Sequence, residues 1–233
     1  MNKTPIDTTA SRTRSHNKMR LALATGTDEE ARAKAVKSRL RRRARNLVPA
    51  RSDGTAGEQV ALFRAQAEAV AATVVEVDST DDVPQALADY LRDNNLPARI
   101  KHGDDPVLTG LPWQKTPTIE RSTGPAVGDD PVSLSHAFAG VAETGTLILT
   151  SGPDNPTTLN FLPETHIVVL DRSNMVGAYE DAWDRIREAH GNGKLPRTVN
   201  MISGPSRTAD VEQTIQLGAH GPRRLHVVIV GKS

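Results

Sequence analysis

From Thr73 onward, short apolar runs alternate with segments of helical period, and this alternation restricts the chain to a narrow set of folds. Residues 73–77 read as a strand, 82–94 as a helix and 98–101 as a second short strand, the order of a βαβ unit. Later apolar runs at 146–149, 166–170, 198–202 and 225–230 are continuous rather than alternating, as expected of strands covered on both sides. Helical spacing recurs at 58–72, 179–189 and 208–217. The predicted fold class is α/β, a largely parallel sheet flanked by helices on both faces. Residues 103–130 are rich in Pro and Gly, with Trp113 and Ile119 as apolar anchors, and predict a lid or an antiparallel edge.

The charge is distributed unevenly. The first 50 residues hold 13 Lys and Arg against 4 Asp and Glu, a net +9 that leaves −8 for the remainder of a chain whose total is +1. A basic tail and helix at 1–50 and an α/β domain at 51–233 follow from this division. Within the basic part, residues 1–26 have the composition of a disordered tail, and Thr27 to Glu30 supply an N-cap and acidic first turn for a helix reaching about Asn46. The tract Arg39-Leu40-Arg41-Arg42-Arg43-Ala44-Arg45 has no aromatic residues interleaved and no recognition motif after it. It therefore reads as a solvated helix face or a partner-docking face rather than a nucleic-acid site.

The 233 residues contain no Cys, which removes disulfides, thiolate nucleophiles and Cys-ligated zinc or iron–sulfur clusters from the chemistry this chain can carry. No apolar run approaches the roughly 20 residues of a membrane span, and the start lacks a signal-type apolar core, so the expected location is the cytoplasm. His136, His166, His220 and His226 have no i, i+4 pairing of the zincin type, and no intrinsic metal is expected. His166 and His226 open predicted strands and read as packing or edge residues. Neither a Gly-x-Gly-x-x-Gly after a strand nor a Walker loop is present.

Three segments carry candidate chemistry. The break at Gly204-Pro205, followed by a predicted helix opening with Ser206-Arg207-Thr208, places backbone N–H groups, two hydroxyls and a guanidinium where an anion would sit, with Asp210 able to orient them. His220, between loop glycines in Gly218-Ala219-His220-Gly221-Pro222, is a further ligand candidate. In Ala142-Glu143-Thr144-Gly145-Thr146, Glu143 is a candidate nucleophile or general base, with Thr144, Gly145 and Thr146 as ligand contacts. A single Glu without a paired acid or base is weak evidence for catalysis, and the same carboxylate suits binding loop amides and fixing the turn.

Taken together, Ala142-Glu143-Thr144-Gly145-Thr146, Leu162-Pro163-Glu164-Thr165-His166-Ile167, Gly204-Pro205-Ser206-Arg207-Thr208-Ala209-Asp210-Val211-Glu212 and Gly218-Ala219-His220-Gly221-Pro222-Arg223-Arg224 closely resemble the LUD domain family. Their order and spacing match its lactate utilization protein C branch. The resemblance spans about residues 135–231. It implies a fold like that of the NagB, RpiA and CoA-transferase superfamily. It also implies a role in a three-protein system oxidising L-lactate to pyruvate, beside an iron–sulfur protein and a cysteine-rich-domain protein. On that reading the chain has no intrinsic cofactor, iron–sulfur clusters belong to its partners, and a small anionic metabolite is its ligand. Some CoA transferases of that fold use a glutamate in Ser-Glu-Asn-Gly, to which Glu143-Thr144-Gly145 is loosely similar, with Ala142 and Thr144 departing from the pattern. The alternatives are a stand-alone acyl or phosphosugar transferase or isomerase using Glu143, and a metabolite-sensing regulatory module.

Overall fold

The computed structural model describes residues 9–23, 29–191, 193–209 and 215–232. The chain divides into two compact units, Met1–Asn46 and Leu47–Ser233. The first holds α1 (Thr9–Leu23) and α2 (Glu29–Arg42). The tail expected to be disordered is therefore helical over Thr9–Leu23. The second helix ends at Arg42, four residues short of Asn46, and the next residue, Arg43, has φ 45°. Val36 and Leu40, one turn apart on α2, are both exposed.

The second unit begins with α3 (Ala56–Ala69), set by a capping box: Glu58 Oε2 accepts from Thr55 N at 2.8 Å, and Thr55 Oγ1 accepts from Glu58 N at 3.3 Å. There follow β1 (Thr73–Val77), α4 (Val83–Asp93), β2 (Arg99–His102), α5 (Pro106–Thr109) and β3 (Glu120–Thr123). After these come β4 (Val132–His136), β5 (Ala139–Val141), β6 (Thr146–Thr150), β7 (Thr165–Asp171) and β8 (Met175–Val176). The chain continues through α6 (Tyr179–His190), β9 (Val199–Ile202), β10 (Arg207–Ala209), β11 (Ile215–Leu217) and β12 (Arg224–Val230).

Six strands form one parallel sheet in the order β1-β12-β7-β4-β2-β3. Strand parity sends β7 Ile167 and Val169, with β12 Val228 and Val230, into a core shared with Val83, Leu87 and Leu91 of α4. On the opposite face β7 Val168 and Leu170, with β12 Leu225, Val227 and Ile229, meet Val60, Phe63 and Ala67 of α3. Helices thus cover both faces, as the sequence predicts. Trp113 and Ile119 are buried as expected, but the segment they anchor ends in a parallel edge strand, β3, rather than an antiparallel one.

The remaining long strands depart from expectation. β6 and β9, predicted as members of the parallel sheet, belong instead to a second sheet ordered β8-β5-β6-β9, in which β6 runs antiparallel to both β5 and β9. One side of this sheet sends Leu147 and Leu149 into the α3 core, and the other packs Val141 and Ile148 on Ala182 and Ile186 of α6. A strand buried on both faces has the same continuous apolar pattern whichever direction its neighbours run, so the sequence could not separate the two sheets.

The helix predicted at 208–217 is also absent from the described residues. Residues 207–209 and 215–217 pair as antiparallel strands, with Arg207 opposite Leu217 and Thr208 opposite Gln216. The anion-binding helix N-terminus expected at Ser206 does not form there. Thr208 and the β-branched Ile215 suit a pleated ladder as well as a helix face.

Candidate functional site

In open α/β sheets ligands commonly enter at the carboxyl ends of the strands, where neighbouring connections diverge. Here that point lies between β2, which leads outward to β3, and β4, which leads inward to β7. It is already filled. A Cβ on Gly103 would lie 1.7 Å from the carbonyl oxygen of Asp154, so the turn after β6 rests directly on the end of β2. His136, at the end of β4, donates from Nδ1 to Asp105 Oδ2 at 3.3 Å and from Nε2 to Asp171 Oδ2 at 2.9 Å. Burial opposes charging this ring, but hydrogen bonds to Asp105 and Asp171 outweigh it and raise its pKa to about 9. An imidazolium with both N–H groups committed is a clamp across three strand ends.

The opposite edge is open. A pocket of about 240 Å³ lies where β7 and β12 begin, lined by Asn160, His166, Gly204, Ser206, His220 and Leu225 among others. Two predicted segments therefore converge: Gly204, Pro205 and Ser206 form one wall, and His220, Gly221 and Pro222 another. Two backbone bonds fasten them together, Ser206 N to the Pro222 carbonyl at 2.8 Å and Gly218 N to the Ser206 carbonyl at 3.0 Å. Gly204 has φ 78°, and a Cβ there would stand 2.6 Å from the carbonyl oxygen of Val70, just past α3. Only glycine allows the wall to run against that helix end.

The pocket floor comes from residues the sequence did not single out as ligands. His166 and Asn160 are each 1% exposed. They meet at one hydroxyl: Ser135 Oγ donates to Asn160 Oδ1 at 3.3 Å and receives His166 Nε2 at 3.0 Å. His166 Nδ1 and Asn160 Nδ2 are buried without a hydrogen-bond partner. Burial lowers the pKa of His166 to about 3, so the ring is neutral. His166 reads in sequence as a packing residue because it stands in an apolar strand. Asn160 lies at the end of a short 3-10 turn, Thr157–Asn160, and gives no signal beyond that.

The other predicted residues lie elsewhere. Arg207 and Thr208 are on β10 and do not line this pocket, and Asp210 lies outside the described residues. Glu143 is 6% exposed, and its Oε1 accepts from Tyr179 N at 3.0 Å. Gly145, with φ 62°, lies so close to α3 that a Cβ would be 2.4 Å from Ala67 N. Thr144 and Thr146 join a hydroxyl cluster. Tyr179 Oη lies 3.1 Å from Thr144 Oγ1 and 2.7 Å from Thr146 Oγ1, which is 2.5 Å from Ser203 Oγ. Ser203 also lines the pocket, so this cluster abuts its wall although Glu143 does not.

The sequence profile of the LUD domain matches residues 60–230, nearly the whole second unit. The chain belongs to the LUD domain family. A crystal structure of a DUF162 family protein from Deinococcus radiodurans shares the fold, with a TM-score of 0.56 at 21% identity over 77% of this chain and 100% of that one. Among curated relatives, an uncharacterized protein of Neisseria meningitidis serogroup B is 42% identical over 97 residues, 42% of this chain and 41% of that protein. Lactate utilization protein C of Bacillus subtilis is 34% identical over 100 residues, 42% of each chain. The protein of the same name from Shouchella clausii is 33% identical over 99 residues, 42% of this chain and 43% of that one. The match thus spans about two fifths of the length of these relatives. Among the described residues no helix is long and apolar enough to cross a membrane, and no group of three or more His, Cys, Asp or Glu is placed to hold a metal.

Proposed function

We propose that this chain is a cluster-free component of a cytoplasmic three-protein system that oxidises L-lactate to pyruvate, and that its pocket binds a small organic acid. The observation that carries the reading is the convergence of Gly204 to Ser206 and His220 to Pro222, parts of two segments that resemble the LUD family, on one pocket at the amino-terminal edge of the parallel sheet. Its volume of about 240 Å³ suits a ligand of a few heavy atoms and is small for a dinucleotide. The relatives named lactate utilization protein C supply the substrate class.

Without Cys in the chain, electrons leaving the substrate pass through clusters on partners, an iron–sulfur protein and a cysteine-rich-domain protein. The basic α2, with exposed Val36 and Leu40 on its surface, offers a helix for docking to an acidic partner. Anaerobic co-purification of the tagged chain from its host grown on L-lactate tests the assembly, with both partners expected in the mass spectrum. Reconstitution tests the contribution: the partners should oxidise lactate more slowly without this chain, and an unchanged rate rejects the reading.

A further inference from the structure

The pocket floor is a chain of hydrogen bonds linking Asn160, Ser135 and His166. Ser135 Oγ gives its single proton to Asn160 Oδ1, so it can only accept from His166 Nε2. In this arrangement the neutral ring carries its proton on Nε2 and leaves Nδ1 as a lone-pair acceptor. The Asn160 oxygen then faces Ser135 and its amide N–H groups are spare; turned over, the amide reverses both bonds and still leaves one donor and one acceptor. A buried acceptor and a buried donor, both in residues that line the pocket, are left unpaired. Each costs free energy until a ligand satisfies it.

Few groups answer both at once. A hydroxyl does, because its oxygen accepts while its proton donates; a keto oxygen or a carboxylate oxygen only accepts. Among the described residues lining the pocket there is no Lys or Arg. A phosphate ester would therefore be buried without a counter-charge, whereas a single carboxylate can remain near the exposed His220 at the rim.

We propose that the floor of this pocket selects a small organic acid carrying a hydroxyl, with Asn160 Nδ2 donating to the hydroxyl oxygen and His166 Nδ1 accepting its proton in a hydrogen bond. Ser135 is the positioning residue that couples the two polarities, so that one group donates and the other accepts. The inference rests on the reading of this pocket as an organic-acid site and adds the specificity: hydroxy acid over keto acid.

L-lactate and pyruvate differ at the atom in question, and propionate lacks it. Titration of the full chain with each by calorimetry is expected to show L-lactate binding at least tenfold more tightly than either of the others, since a keto oxygen turns a lone pair toward Nδ1 and a methylene leaves both groups unpaired. In the wild-type protein, L-lactate should shift the ¹⁵N resonance of His166 Nδ1 and pyruvate should leave it in place. His166→Gln retains an N–H at the position of Nε2 for Ser135 but has no atom at Nδ1, so the preference should fall to within threefold. The ¹⁵N measurement needs no variant and decides the matter if this one does not fold. Equal binding of L-lactate and pyruvate overturns the hydroxyl selection alone. Binding of none of the three acids overturns the organic-acid reading of the pocket as well.

Discussion

Glu143 Oε1 accepts a hydrogen bond from the backbone N–H of Tyr179 at 3.0 Å, so a carboxylate at the end of β5 satisfies an otherwise orphaned donor in the first turn of α6. A negative charge is also favoured at that helix end. Glu143→Gln keeps an acceptor oxygen in place and should leave the melting temperature within a few degrees of wild type. Glu143→Ala leaves the Tyr179 amide buried without its partner and should cost about 1–3 kcal/mol in urea unfolding. Under the proposed function, lactate oxidation by the reconstituted system separates capping from chemistry: capping predicts activity retained in Glu143→Gln, and a glutamyl nucleophile predicts its loss in a fully folded protein.

The neighbouring Gly145 gives a sharper steric prediction. Its φ of 62° and the 2.4 Å separation between a Cβ there and Ala67 N leave no room for a methyl group without moving α3. Gly145→Ala should destabilise by about 2–5 kcal/mol, from left-handed backbone strain and overpacking together. Thermal denaturation followed by circular dichroism reads it directly. A loss below 1 kcal/mol would mean that the close approach to α3 does not hold in solution.

Tyr179→Phe probes the hydroxyl cluster between this turn and the pocket. Tyr179 Oη bonds both Thr144 Oγ1 and Thr146 Oγ1, and the ring packs against the cluster that Val141 and Ile148 form with Ala182 and Ile186 of α6. Phenylalanine keeps the packing and removes only the hydroxyl, so the expected loss is about 1–2 kcal/mol in chemical denaturation. Thr146 retains Ser203 as a partner, which holds the cost below that of a full orphan.

How far the sequence predicts this molecule depends on what kind of signal each residue leaves. The helix carrying Val83, Leu87 and Leu91 follows from periodicity, because one buried face imposes it, and the strand at Thr73–Val77 follows from its run of β-branched residues. Val132–His136 escaped notice because its five residues mix Ser with apolar side chains: Ser133 and Ser135 are buried but bonded inward, which breaks the apolar run. Arg207–Ala209 and Ile215–Leu217 are too short for helical and strand periods to be distinguished. For the pocket, the glycine-bounded walls were legible since glycine and proline punctuate local structure. The floor was not, because a buried histidine in a strand looks like packing until its second nitrogen is found without a partner.

His136 predicts the alkaline flank of the stability profile. Its folded pKa of about 9 lies above the ordinary histidine value, so its stabilisation is complete below about pH 6.5 and is lost as pH rises through about 9. The shift corresponds to roughly 3 kcal/mol. His166 and His226 act with the opposite sign: burial lowers them to about 3 and about 4, so stability is full above pH 6.5 and falls as the solution is acidified. Asp105 shares the clamp: although burial alone would raise its pKa, the hydrogen bond from His136 holds its carboxyl below the usual range. Urea unfolding at pH 5, 7 and 9.5 should therefore show a maximum near neutrality. His136→Gln should be less stable than wild type at pH 7, with the gap narrowing by pH 9.5 because the wild-type ring has by then lost its charge. A gap of constant size across that range would place the role of His136 in packing and hydrogen bonding rather than in the ion pairs with Asp105 and Asp171.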